Sequence, residues 1–255
     1  MRFLRFLLVL IVVLFVIAGI VAWTCPADFV YRQFASHFGS LRLSGISGTV
    51  WQGHAASAEL FGQPLGTLDW QMESEPLLMR ADVVAKAHLV GNGVTADGVV
   101  RRSAEGKISF SDTTVNLPAQ MLAPAIDLPS LQLTGQVEIK VEQARLIGIW
   151  FDDARGTAHW RGAGVTGAAQ ATFGEIESTF ASTSDGSIQG TVHDNGGPLS
   201  VAGTFKIIAG SYEAQAKLAT RDGNPQVNEA LQYIGQAQAD GTSQLLIRGQ
   251  MFKLF

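Results

Sequence analysis

The residues best suited to chemistry in this chain are five histidines, one cysteine and two close pairs of acids. His37, His54, His88, His159 and His193 could act as general bases or metal ligands. None stands in an HxxxH or HxH pair and none neighbours Cys25, so the spacing that assembles zinc is missing. Asp152 with Asp153, and Glu175 with Glu177, could share acid and base roles. Consecutive strand residues point to opposite faces, which separates Asp152 from Asp153; Glu175 and Glu177 share a face, as carboxylates on a solvated strand do. No serine lies in a GxSxG elbow, and the 28 glycines form neither GxGxxG nor a phosphate-binding loop. With 18 basic against 22 acidic residues and no basic cluster beyond Arg101-Arg102, nucleic acid is excluded as a partner. The residue types therefore predict no catalytic residue, no cofactor and no metal.

What such a chain must build instead is visible between Leu41 and Trp70, LRLSGISGTVWQGHAASAELFGQPLGTLDW. Apolar and polar residues alternate, as at Leu68 and Trp70 against Thr67 and Asp69, and glycine punctuates the runs. That is the pattern of half-buried strands joined by tight turns. It continues through Val83, Ala85, Ala87 and Leu89, the turn Gly91-Asn92-Gly93, then Val94, Ala96, Gly98 and Val100, and on to Ile108 and Phe110. LQLTGQVEIKVE sets Leu131, Leu133, Val137, Ile139 and Val141 against a polar face, and SIQGTVHD, PLSVAGTFKI, SYEAQAKLAT and SQLLIRGQM follow. The expected fold is mainly β, an antiparallel β domain. Helices are expected near residues 26–38, in a compact form within 117–129, and at 225–235 behind Asn224 as cap and Pro225.

The mean hydropathy of +0.19 owes much to the start of the chain, where residues 6–23 are uninterruptedly apolar. A helix of that length spans roughly 27 Å, close to the hydrocarbon thickness of a bilayer. Arg2 and Arg5 precede it, which places residues 1–5 in the cytoplasm. Ala22-Trp23-Thr24 is a poor cleavage site, so an uncleaved anchor is expected, followed by a juxtamembrane stalk over 24–39 and a β domain over 40–255. One cysteine allows no disulfide within the chain.

A shift of 90 residues sets SLRLSG at 40–45 on SLQLTG at 130–135, and LGTLDW at 65–70 on RGTAHW at 155–160. The expected consequence is a pseudo-repeat, 40–129 and 130–220, folded as two similar lobes in one curved sheet or a sandwich.

The anchor, SGISGTVWQGHA at 44–55, LGTLDW at 65–70, DNGGPLSVAG at 194–203 and LQYIGQAQADGTSQLLIRGQ at 231–250 occur in this order along nearly the whole chain. In this the chain resembles the type II secretion system protein N family of Gram-negative bacteria. The motif positions are Ser44, Gly45, Gly48, Trp51, Gly53, Gly66, Trp70, Asp194, Gly196, Gly197, Pro198, Leu199, Gly203, Leu231, Gly235, Asp240, Gly241 and Gly249, all of structural type. The histidine in QGHA and the alanine-rich stretch 54–58 depart from the family's pattern. The resemblance implies a single-pass inner-membrane accessory component with a periplasmic domain. It would meet other secretion components, platform or secretin, by contact and without catalysis. A second reading stays open: an anchored periplasmic β-trough that binds or transfers lipid, similar in texture to AsmA-like and bridge-like domains. In that reading Ala85, Ala87, Ala96, Ala214 and Ala216 leave room for acyl chains; in the plainer one they let sheets approach closely.

Overall fold

The computed structural model describes residues 23–35, 41–60, 62–126, 130–147, 150–208 and 210–250. All of the expected membrane helix except Trp23 lies outside them, as do His37 and the end of the stalk. Among the described residues no helix is long and apolar enough to cross a membrane.

Fourteen strands form one sheet, paired in chain order except at the last edge, where β14 follows β12 and β13 lies outermost. They are β1 Leu41–Gly48, β2 Gln52–Leu60, β3 Gln63–Glu73, β4 Val83–Gly91, β5 Val94–Arg102 and β6 Ile108–Pro118. After these come β7 Leu131–Ile147, β8 Trp150–Gly167, β9 Ala171–Ser182, β10 Ile188–Asp194, β11 Leu199–Ile208, β12 Ser211–Thr220, β13 Gln236–Ala237 and β14 Ser243–Gln250. Every pairing is antiparallel. The expected antiparallel β fold is therefore present, but as one sheet and not a sandwich. Over β7 to β14 the apolar face is covered by the curl of its own sheet and by helices, so no second sheet is required there.

The strands at the two ends of the 90-residue shift also differ. Residues 41–70 span β1, β2 and most of β3, whereas 131–160 span β7 and most of β8, which pair directly.

Among the described residues four α-helices accompany the sheet: α1 Ala27–Phe34, α2 Ser74–Arg80, α3 Ala123–Ile126 and α4 Pro225–Ile234; a 3-10 turn, Ala119–Leu122, leads into α3. The cap expected at Asn224 is made, its Oδ1 accepting from the N–H of Gln226 and Val227 at 3.0 and 3.2 Å. Val227, Ala230, Leu231 and Ile234 on the inner side of α4 are all buried. Helix α2 was not expected from the alternation. Pro76 sits in its first turn, where a missing N–H costs nothing, and Ala81 ends it in a left-handed conformation, φ 55°.

The main core gathers Leu131, Leu133, Val137, Val165, Phe173, Leu199, Val201 and Leu218 with Ala119 and the buried side of α4. Strands lie about 4.8 Å apart, so β7 and β14, six spacings distant, would be about 29 Å apart in a flat sheet. Leu133 of β7 and Leu245 and Ile247 of β14 nevertheless line one cavity. The sheet is tightly curled over this half. Bulges in β7–β9, among them one at Gly135, supply local bending. Gly135 has φ +99°, and a Cβ there would come within 2.4 Å of the Arg161 carbonyl oxygen. Only glycine closes that bend.

Candidate functional site

The register carries one phase of the alternation across the whole sheet. Ala55 faces Leu68, Leu68 faces Leu89, Leu89 faces Ala96, and Ala96 faces Val115. Val115 in turn faces Ile139, and Ile139 faces Ala158. Over β3 to β6 these inner residues are half-buried, and no helix of the main core covers them. Over β7 to β14 the curl encloses a cavity of about 490 Å³. Its wall includes Trp160, Phe173, Ile176, Val192, Phe205 and Ile247, with Ala214 and Ala216 leaving the space open. Ile176 lies outside the quoted motifs and Ile247, though inside the 231–250 segment, is not among the motif positions; the signal that could have found them is their inward phase on β9 and β14.

The family-motif residues build the first hairpin and two corners. Ser44 and Gly45 lie in β1, and Gly48 and Trp51 bracket the turn into β2. The Trp70 indole donates to the Val50 carbonyl at 3.0 Å and lies on Gly53, where a Cβ would meet the ring at 2.2 Å. Trp160 makes the corresponding bond to the Thr134 carbonyl at 2.8 Å. Gly66 lies against β4, where a Cβ would approach the Val90 carbonyl oxygen to 2.2 Å. The hairpin is fastened to the chain before it. Trp51 stacks on Trp23 with centroids 5.5 Å apart, Val50 N–H donates to the Cys25 carbonyl at 3.1 Å, and Thr49 bridges Pro26.

Asp194 organises the corner between β10 and β11. Its Oδ1 accepts from Gly196 N–H at 3.1 Å and from Arg221 at 2.6 Å, and its Oδ2 from Val201 N–H at 2.8 Å. Arg221 also donates to the Gly197 carbonyl at 2.9 Å. Burial alone would raise the Asp194 carboxyl, but the Val201 N–H, the Arg221 guanidinium and the Gly196 N–H outweigh it and hold the group below the usual carboxylate range. Gly197 and Pro198 pass close over Gly174 of β9, Leu199 is buried in the core, and Gly203 packs on Ala216. At the other corner Leu231 is buried, Gly235 follows α4, and Asp240-Gly241 turns into β14. Lys217, bonded to Asp240 at 2.8 Å, and then Thr242 hold the Asp240 carboxyl well below the usual range. Gly249 takes the Tyr212 ring.

Of the titratable candidates, His54, His88, His159, His193 and Glu177 fall on the outer face, in two rows of alternating histidine and acid. One runs His54, Asp69, His88, Asp97 across β2 to β5; the other runs Glu138, His159, Glu177, His193 across β7 to β10. His54 Nδ1 lies 2.8 Å from Asp69, and His88 Nδ1 is hydrogen-bonded to Asp97. His159 and His193 each lie 3.6 Å from a Glu177 oxygen. These are cross-strand pairs that align neighbouring strands, exposed in the first row and, His193 excepted, half-buried in the second, and Asp69, His88 and Asp97 border a recess of about 430 Å³ on the outer face. Among the described residues no three His, Cys, Asp or Glu are placed to hold a metal ion. Glu175 and Glu177 do not act on one another; Glu177 is engaged by the two histidines and by Asn195 at 3.0 Å.

The sheet's two edges differ. On β1 the Leu43 N–H is occupied by the Tyr31 hydroxyl of α1 at 2.8 Å. On β14 only Ser243 and Gln244 are covered, by β13, and among the described residues no strand pairs with the outer edge of Leu245 to Gln250.

The described residues define a single curled antiparallel meander with an apolar inner face, a charged outer face and one edge that no described strand covers. The chain belongs to the family described as type II secretion system (T2SS), protein N, whose model matches residues 39–245. It is 28% identical over 251 residues to type II secretion system protein N of Aeromonas hydrophila, covering 95% of this chain and 98% of the relative. It is 33% identical over 131 residues to the protein of that name from Vibrio cholerae serotype O1, covering 48% of this chain and 50% of the relative. No solved structure matches it.

Proposed function

We propose that the chain is a non-enzymatic accessory component of the type II secretion machinery, held at the inner membrane by residues 6–23 and acting by contact in the periplasm. The observation that carries this reading is the open outer edge of β14 in a chain of this family. An unpaired strand edge offers a row of backbone donors and acceptors for a partner strand, and proteins normally blunt such edges. Arg248, the one basic residue on β14, is turned to Glu213 within the same sheet at 2.7 Å. The anchor reading draws support from Trp23, Phe29 and Phe34, all exposed beside the first hairpin, where aromatic side chains suit a membrane–water interface.

The test joins topology to secretion. Protease added to spheroplasts digests the domain, and alanine at His54, His88, His159, Glu175 or Glu177 leaves secretion unchanged. Deletion of residues 243–255 weakens capture of the other secretion components. Survival of the domain under protease, or loss of secretion in any one of the five variants while folded and abundant, refutes the reading.

A further inference from the structure

The cavity inside the curled half of the sheet is unlike a protein-docking groove, because its wall offers almost nothing to hydrogen-bond. Leu133, Trp160, Phe173, Val201, Leu245 and Ile247 present carbon, and the one indole N–H among them is already given to Thr134. Thr204, Glu213 and Gln215 border the cavity, yet their polar ends are occupied on the other face. Gln215 donates to Thr204 at 3.4 Å, and Glu213 holds Arg248.

That chemistry decides the occupant. A peptide segment carries an N–H and a C=O at every residue, and each would lose water here without gaining a partner. An α-helix satisfies its own backbone but is about 10 Å across, so about one turn would fit in 490 Å³. A hydrocarbon chain has neither difficulty, and the volume lies in the range of small-ligand sites.

The two ends of the trough also differ. Helix α4 and the Asp194–Arg221 corner close one end. At the other, the register leads along one end of the sheet from Arg102 and Ile108 on β5 and β6 to Ile207 and Tyr212 on β11 and β12. Phe110 packs in the same small cluster as Ile207, which lines the cavity, so the apolar surface is continuous to that lip. Arg102 ends the apolar phase of β5 there, is exposed, and makes no ion pair among the described residues. A guanidinium without an ion-pair partner among the described residues, at the edge of an apolar surface, complements a phosphate.

We infer that this cavity holds an acyl chain of a membrane glycerophospholipid, with the headgroup phosphate outside at the Arg102 lip. The membrane as source rests on the proposed anchor; the cavity and its chemistry do not.

The test uses the full chain in living cells grown on radioactive phosphate, with a photoreactive benzoylphenylalanine replacing Ile247 or, on the opposite face of the same strand, Leu246. Irradiation gives a phosphorus-labelled adduct at Ile247 and none at Leu246, and the label is extractable by phospholipase. Ala214→Trp, which fills the cavity, abolishes the label at Ile247, while Gln215→Trp, one residue away on the outer face, retains it. A protein adduct at Ile247 would assign the cavity to a peptide partner and overturn the inference. So would an Ile247 probe protein that is folded and abundant but unlabelled, or equal labelling at Ile247 and Leu246. Secretion is not read in this experiment, so its failure leaves the accessory-component reading standing.

Discussion

Replacing Asp194 by asparagine tests whether the corner between β10 and β11 is held by charge or merely filled. The carboxylate accepts three hydrogen bonds, from Gly196, Val201 and Arg221, and its side chain is only 10% exposed. The amide keeps the shape and one acceptor oxygen. Its NH2 group must then face either the Val201 N–H or the Gly196 and Arg221 donors, which sets donor against donor. Losing a hydrogen bond to a charged acceptor costs about 1.5–3 kcal/mol. Arg221 is 38% exposed, so the ion-pair part is screened and adds under about 1 kcal/mol. The sum is about 3 kcal/mol, which lowers the melting temperature of a domain this size by about 6–12 °C. The pH dependence carries the sign. Asp194 is depressed in the folded chain, so its contribution is complete above the unfolded value of about 3.9 and is lost as pH falls through the folded value. Thermal melts of the wild type and Asp194→Asn, followed from pH 7 downward, should therefore lie far apart at neutral pH and converge in acid. A variant within about 0.5 kcal/mol of wild type at pH 7, or a gap that stays constant into acid, would show that the carboxylate charge is irrelevant to the corner.

Trp70→Ala and Trp160→Ala each remove an inner-face ring and its indole hydrogen bond; since both rings are half-buried, the expected loss is about 2–4 kcal/mol, read as a lowered denaturation midpoint. A folded, wild-type-stable Trp70→Ala that lost function would instead make the ring a contact residue. Ser178 points its hydroxyl inward between Ala158 and Val192, and its Oγ is buried without a partner. Ser178→Ala should consequently leave stability unchanged or raise it by about 1 kcal/mol, and a clear loss in a denaturant melt would mean the hydroxyl has a partner in solution.

Strand identity was legible wherever the alternation was clean. Val83 to Leu89 and Val94 to Val100 fold as β4 and β5 around the Asn92-Gly93 turn, in which both residues take positive φ, 49° and 78°. The Leu131–Val141 phase also survives, but β7 runs on to Ile147 because a bulge at Val141/Gln143 resets the alternation that Glu142 had broken. A period-2 reading stops at such a bulge; the pairing does not. The cap and inner side of α4 were legible for the opposite reason, since a helix states its face within ten residues. What the sequence could not state was curl. Ile176 and Ile247 lie 71 positions apart and share a cavity only because the four strand pairings between β9 and β14 bend one way, so each looked like an ordinary core residue. The histidines were opaque for the same reason: His54 is 15 residues from the acid it meets and His88 is nine from its own, distances fixed by register and not by motif.

The two edges connect these surfaces. At β1 the chain spends Tyr31, Trp23 and the Pro26–Thr49 bridge on fastening the sheet to the segment that precedes it. At β14 no described strand pairs with the outer side of Leu245 to Gln250, and Arg248, which could blunt that edge, is held by Glu213 instead. Leu245 and Ile247 belong to this open strand and also to the wall of the cavity. A strand added at the edge would place its own inward side chains beside them, because alternation is preserved across an antiparallel pair. The apolar face would then continue into the partner without a seam. Edge and cavity are therefore one surface viewed from two sides, and Ile247 is the residue through which a strand added at the edge would alter the cavity wall.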